Sequence, residues 1–288
     1  MRIVDTLFEK RVPRGFPYFD LLDRIHQHVL PRTYVEIGVS TGRSLTLALP
    51  GTMSVGIDPD PRLSFPLRRG TRIFHQTSDD FFANHDLTRL FGGVQLDLAF
   101  IDGMHHFEVA LRDFMNLEKS SNIGTTILIH DCLPIDEVTA ARERSTSIWS
   151  GDVWRLIALL RAFRPDLEVN VVDVAPTGLG IIRGLDPDST VLDYRYNEIV
   201  ERYLTVPYKN PYGSDSIEPK GSDWETVKAL LPEAPFRHAN VEMLKVRRSW
   251  CGVAPILRRG VNSARFRLAT RADEKPEGDA FSPHSASS

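Results

Sequence analysis

The last two strand-like runs constrain the fold of this 288-residue chain more than any other feature. LEVNVVDVAP (167–176) and GLGIIRG (178–184) are separated only by a turn at Pro176-Thr177-Gly178. So short a connection forces an antiparallel pair, because a parallel return needs a long crossover. Upstream, short apolar runs alternate with helical periodicity. TYVEIG (33–38) and MSVGID (53–58) read as buried strands, with a helical stretch from Ser44 to Leu49 between them. TRIFH (71–75) is a third apolar run, followed by SDDFFAN, where Ser78 is placed to cap a short helix. LDLAFID (96–102) and GTTILIHD (124–131) are strands, while FEVALRDFMNLEKS (107–120) and DVWRLIALLRAF (152–163) have helical spacing. This alternation predicts an α/β fold, a mostly parallel sheet with helices on both faces, ending in an antiparallel hairpin.

Beyond Leu185 the pattern loosens. Residues 193–204 and 223–231 read as helices separated by a Pro/Gly/Ser-rich loop, and from Ala272 the composition is that of a disordered tail. The expected organisation is a principal domain over 1–185, a helical and loop appendage over 186–244, and a basic extension over 245–288. That extension carries nine basic and four acidic side chains, so the net charge of -3 conceals a body at -8. Such a stretch is consistent with a solvated extension, or with contact to phosphate, a membrane surface or an acidic partner. The acidic body argues against a long nucleic-acid footprint. No apolar run approaches the roughly 20 residues of a membrane span, and MRIVDTLFEKRVPRG lacks a secretory apolar segment. Cys132 and Cys251 form no metal-binding spacing. These features lead to the expectation of a cytoplasmic protein.

The segment Glu36-Ile37-Gly38-Val39-Ser40-Thr41-Gly42-Arg43-Ser44 lies between a strand and a helix. Glycines there let the backbone turn sharply and approach a ligand. In open parallel sheets ligands sit at the carboxyl ends of strands, near the switch in strand order. Asp58 ends the next strand, placed to accept hydrogen bonds from ribose hydroxyls. A dinucleotide would want Gly-x-Gly-x-x-Gly, whereas here Ser40 fills the middle position between Gly38 and Gly42. The acid Glu36 also suits an amino-acid ammonium better than a phosphate.

VEIGVSTGRSL, GIDPD, LAFIDGMHHFEVALRD and TTILIHD, in this order and spacing, resemble the class I S-adenosylmethionine (SAM)-dependent methyltransferases. More narrowly they resemble the branch with the metal-dependent macrolide-sugar O-methyltransferases, over roughly residues 30–185. The resemblance implies the Rossmann-like class I methyltransferase fold. It implies that Glu36, Gly38 and Gly42 line the methionine part of SAM, with Ser40 in the same loop. Asp58 would hold the ribose, and Ser78 with Asp79 would sit near the adenine.

Asp102-Gly103-Met104-His105-His106 follows the fourth strand and His130-Asp131 ends the fifth, so both should emerge on the edge that carries the cofactor loop. Asp102 and Asp131 can converge on a hard cation such as Mg²⁺, with His130 as a nitrogen ligand. A divalent ion lowers the pKa of a bound oxygen, and a nearby imidazole then accepts the proton. His105 is the expected base, as the Asp-Gly-x-His arrangement of the macrolide-sugar relatives implies. Those relatives have an acidic pair where this chain has His130-Asp131. Other roles stay open: Asp102 as a helix cap, His130 as a satisfied histidine, and Trp149 and Trp154 as core or as stacking surfaces for a sugar. His106 reads as structural and Cys132 as packing. The expected activity is methylation of a hydroxyl on a sugar or other small molecule, by a chain that is a candidate homo-oligomer. The competing expectation is a non-catalytic binding module docking on a larger assembly.

Overall fold

The computed structural model describes residues 18–208, 218–233 and 236. Seven strands form one sheet: β1 (Thr33–Ile37), β2 (Met53–Ile57), β3 (Thr71–Phe74), β4 (Leu98–Ile101), β5 (Thr126–His130), β6 (Glu168–Val172) and β7 (Leu179–Arg183). Their order is β3-β2-β1-β4-β5-β7-β6. β1 to β5 pair in parallel, while β7 runs antiparallel to both β5 and β6. The expected closing hairpin is present. Its connection, however, is longer than three residues: the strands end at Val172 and resume at Leu179. The chain needs the extra residues because Thr177 turns inward to bond Asp131 and Leu133.

The strand order reverses at β1, whose neighbours are β2 on one side and β4 on the other. Strands β1, β4 and β5 are buried along their whole length, which accounts for their near-continuous apolar runs. One face of the sheet is covered by α2 (Ser78–Asn84), α3 (Leu87–Leu90), α4 (Phe107–Glu118), α5 (Trp154–Phe163) and α6 (Val191–Leu204), packed around Phe81, Phe107, Phe114 and Leu160. The other face is covered by α1 (Tyr18–Val29), a single 3-10 turn (Leu45–Leu47) and α7 (Trp224–Lys228), around Leu22, Ile25, Tyr34 and Phe100. The helix expected over Ser44–Leu49 is thus only one turn, cut short where Leu49-Pro50-Gly51 ends the run.

Two caps differ from expectation. Thr77, not Ser78, caps α2 by accepting from the Asp80 N–H at 3.1 Å. Asp102 does not cap α4. The free N–H of Phe107 at its start is taken by Asp152 Oδ1 at 2.8 Å, from 45 residues downstream. Of the expected appendage, α6 buries Leu192, Ile199 and Tyr203 in the core of the first face, and α7 packs on α1. Contacts divide the chain into units of residues 1–239 and 240–288. The second unit, with the basic extension and the tail from Ala272, lies outside the described residues. Among the described residues no helix is long and apolar enough to cross a membrane.

Candidate active site

A cavity of 530 Å³ opens at the carboxyl ends of β1, β2 and β4, beside the strand-order reversal. It is lined by Gly38, Ser40, Asp58, Ser78, Asp79, Asp102 and His105, among others. These residues come from three successive strand ends and the start of α2, where a parallel sheet directs ligands.

The glycine loop is built by close backbone approach. Gly38 has φ +88°, and a Cβ there would lie 2.0 Å from the Asp102 carbonyl oxygen. Its N–H donates to the Ile57 carbonyl at 2.9 Å, and the Asp102 N–H donates to the Ile37 carbonyl at 2.8 Å. Glycine at 38 therefore lets the β1 loop touch the β4 loop. Ser40 follows with φ +48°. Its N–H donates to Asp58 Oδ2 at 2.7 Å, while the Asp60 N–H donates to Asp58 Oδ1 at 2.8 Å. Asp58 is thereby held rigidly at the cavity wall with lone pairs left over for hydroxyl donors.

Glu36 and Gly42 depart from expectation, since neither lines the cavity. Glu36 is fully buried behind the loop, accepting from the Tyr34 hydroxyl and the Ser44 hydroxyl at 2.7 Å each. Burial pushes its carboxyl up to about 8, against the pull of those two hydroxyls. It braces the loop from within rather than presenting a charge. Gly42, with φ +79°, packs its Cα under Leu63 and Leu67 of the β2–β3 connection.

At the α2 end, Asp79 is clamped by Arg112 of α4 through two bonds of 2.8 and 2.7 Å. The hydrogen bonds from Arg112 hold its carboxyl below the usual range. Behind Ser78 lies Asp113, buried and without a hydrogen-bond partner of good geometry. Burial pushes that carboxyl up to about 7, against the pull of the Ser78 hydroxyl.

The β4 and β5 ends bring together Asp102, His105, His130 and Asp131. Of the two histidines, His130 departs from the place expected of it. His130 is buried; its Nδ1 lies 3.0 Å from Asp102 Oδ1 and 3.4 Å from Asp131 Oδ1. Burial opposes its charge, but the two carboxylates outweigh that and raise its pKa well above the ordinary histidine value. The reverse holds for Asp131, where burial acts upward and His130, His105 and Thr177 prevail, leaving it below the usual range. Asp131 also sits in the left-handed region, φ +63°, a strained conformation of the kind found at functional sites. His105, not His130, reaches the cavity. Its Nδ1 is 2.8 Å from the Trp149 carbonyl oxygen and 3.1 Å from Asp131 Oδ2, and its Nε2 is 3.9 Å from Asp102 Oδ1.

Among the described residues, ligand atoms of Asp102, His105 and Asp131 lie within 4.8 Å of one another and suit a metal ion. The nitrogen in this group is that of His105, while His130 lies between the two carboxylates. His106 bonds the Arg142 carbonyl at 3.3 Å and is structural. The Cys132 thiol is buried and donates to the Ile129 carbonyl at 3.2 Å; burial pushes its pKa up, away from nucleophile behaviour. Trp154 is core.

Three residues not singled out from the sequence belong here. Tyr18 of α1 stacks on His130 with ring centroids 4.5 Å apart, and its phenol pKa is raised, by burial first and then by Asp102, Glu36 and Asp131. Thr177 donates its hydroxyl to Asp131. Arg112 holds Asp79. Tyr18 and Thr177 lie far from the motif in sequence, and nothing in their local pattern marks them.

The sheet order, with one antiparallel strand inserted between β5 and β6, defines the Rossmann-like class I methyltransferase fold. More particularly, residues 35–132, from β1 to the turn after β5, match a family model described as a methyltransferase domain. Both agree with the class I methyltransferase resemblance drawn from the motifs. No curated protein matches the chain in sequence. Similar solved structures include an O-methyltransferase of Bacillus cereus in complex with S-adenosylhomocysteine (SAH), at 15% identity and TM-score 0.43, covering 64% of this chain and 89% of that one. The O-methyltransferase TomG of Streptomyces achromogenes, involved in tomaymycin synthesis and solved with SAM, is 13% identical with TM-score 0.44, over 62% of this chain and 88% of that one. A methyltransferase of Podospora anserina bound to SAH is 15% identical with TM-score 0.45, over 64% and 88%.

Proposed function

We propose that the chain is a SAM-dependent O-methyltransferase that acts on a hydroxyl of a sugar or another small molecule, with His105 as general base. One observation carries this reading: a single cavity is lined at one end by Gly38, Ser40 and Asp58 and at the other by His105 and Asp102. The pocket fits the cofactor, because the cavity runs along the Gly38–Ser40 loop to Asp58, which is fixed with free lone pairs. Gly38 and Ser40 would face the methionine part, Asp58 the ribose, and Ser78 and Asp79 the adenine. Bound SAM supplies a methyl group already activated on a sulfonium, so the protein must provide alignment and a deprotonated oxygen.

Gly38, Ser40 and Asp58 would hold SAM so that its methyl could pass to the acceptor oxygen, the carbon–sulfur electrons staying on sulfur. The hydroxyl proton passes to His105 Nε2. Asp131, 3.1 Å from Nδ1, would stabilise the imidazolium that results, and His130 between Asp102 and Asp131 keeps the two carboxylates from repelling each other. An alcohol is the acceptor that most needs such a base.

A second reading is favoured by the convergence of Asp102, His105 and Asp131. These three would hold a divalent ion such as Mg²⁺, which lowers the pKa of a hydroxyl brought to it. His105 would then be a ligand and not the base.

Calorimetry with SAM and SAH, followed by mass spectrometry of a hydroxyl acceptor panel with and without EDTA, tests both. Binding with chelator-insensitive transfer is expected. Transfer abolished by EDTA and restored by Mg²⁺ would give the second reading. Binding with no transfer would reduce the chain to a binding module.

A further inference from the structure

We infer that Trp149, in the connection between β5 and α5, is the positioning residue that sets the tautomer and orientation of His105. The inference rests on the reading of His105 as the base, and its geometry stands independently of that reading.

The indole of Trp149 lies flat on the His105 ring, with centroids 4.9 Å apart and planes 12° apart. The same residue's carbonyl oxygen is 2.8 Å from His105 Nδ1. A carbonyl only accepts hydrogen bonds, and so does the Asp131 carboxylate on the other side of Nδ1. In the neutral ring Nδ1 therefore carries the proton, and Nε2, on the side of Asp102 in the cavity lining, keeps its lone pair. The stacked face removes the freedom of the ring to rotate away from this arrangement.

Trp149 is itself held. Its Nε1–H donates to the Ala141 carbonyl at 2.6 Å, and the Ser150 N–H donates to the Thr139 carbonyl at 3.0 Å. The backbone then closes on His105 from a second side. Gly151 has φ +56°, and a Cβ there would lie 1.9 Å from the His105 carbonyl oxygen. The Asp152 N–H donates to that oxygen at 3.2 Å. Asp152 in turn caps α4, which follows His105, and is fixed by Arg142 at 2.6 Å and Arg155 at 3.2 Å. Residues 149–152 thus hold the ring and the backbone of His105 together, which is the support a base needs to act at a defined point.

The test uses the full chain labelled with ¹⁵N-histidine, the His105 signals being assigned by their loss in His105→Ala. Wild type should show Nδ1 protonated and Nε2 unprotonated; Trp149→Leu should show averaging of the two tautomers. Kinetically, Trp149→Leu should lower kcat by about 10²-fold, the cost of misplacing a catalytic group by roughly 1 Å, with the KM for SAM unchanged. Trp149→Phe, which keeps a flat face, should recover most of that loss. An unchanged tautomer signal in Trp149→Leu, an unchanged kcat, or a Phe variant no better than Leu would overturn the inference. If Trp149→Leu fails to fold, Trp149→Phe carries both measurements with smaller expected changes. A wild type that methylates no hydroxyl would remove the proposed function, while the tautomer signal would still decide the role of Trp149.

Discussion

The two ends of the cavity are built in opposite ways. At the cofactor end, Gly38, Ser40 and Asp58 sit within one strand–loop–strand unit and are tied through backbone N–H donors: the Ser40 N–H on the Asp58 carboxylate and the Gly38 N–H on the Ile57 carbonyl. At the His105 end, the imidazole is placed by side chains and backbone from Asp131, Trp149 and Asp152, and Asp131 by Thr177. The donors there are backbone N–H groups, so the first end depends on the glycine at 38 and the carboxylate at 58 and on few other side chains. The second depends on particular side chains and on a long connection, where acceptor preference is free to vary.

This contrast is open to direct attack. The largest effect is expected for His105→Ala, which should lower kcat by about 10²–10⁴-fold. SAH affinity measured by calorimetry should stay close to wild type; a parallel loss of affinity would mean that the two ends are not separable. Gly38→Ala puts a Cβ against the Asp102 carbonyl at φ +88°. It should cost about 2–3 kcal/mol in a denaturant melt and abolish SAH binding, because this glycine is where the two ends touch. Asp58→Ala should weaken SAH about tenfold, the worth of one hydrogen bond to a charged group, with kcat at saturating SAM little changed.

The smallest effect concerns pH. Glu36 is raised to about 8 from an ordinary 4.5, so the folded chain keeps a proton that the unfolded chain has released. Its contribution to stability is complete below pH 4.5 and is lost as pH rises through about 8. Asp113, raised to about 7, acts in the same direction. Melting temperature should therefore fall between pH 5 and 8, and Glu36→Gln should flatten that fall. A Gln variant with the wild-type slope would show that Glu36 ionises without cost and faces the ligand after all.

The cofactor end was largely legible in the sequence, because a strand, a glycine turn and the acid of the next strand are local signals. Even there, the direction of Glu36 was not. Tyr34 and Ser44 capture it, and their reach to its carboxylate depends on how the strand and the loop pack. The caps are hard to read for a similar reason: Thr77 and Ser78 are neighbours of nearly equal capping chemistry, and the partner of the α4 N-terminus comes from Asp152, far along the chain.

What the chain by itself determined is the α/β alternation, the closing antiparallel pair and the positions of Asp58, Asp102, His105 and Asp131 at strand ends, because strand period and turn length act over a few residues. Tertiary structure alone decided which histidine is enclosed and which meets the cavity. His130 ends a strand buried on both faces and is closed over by Tyr18, whereas His105 stands in a loop at the rim, turned by Trp149. Two imidazoles of the same chemistry part in role because burial between two carboxylates is a property of the packed edge, and no local pattern carries it.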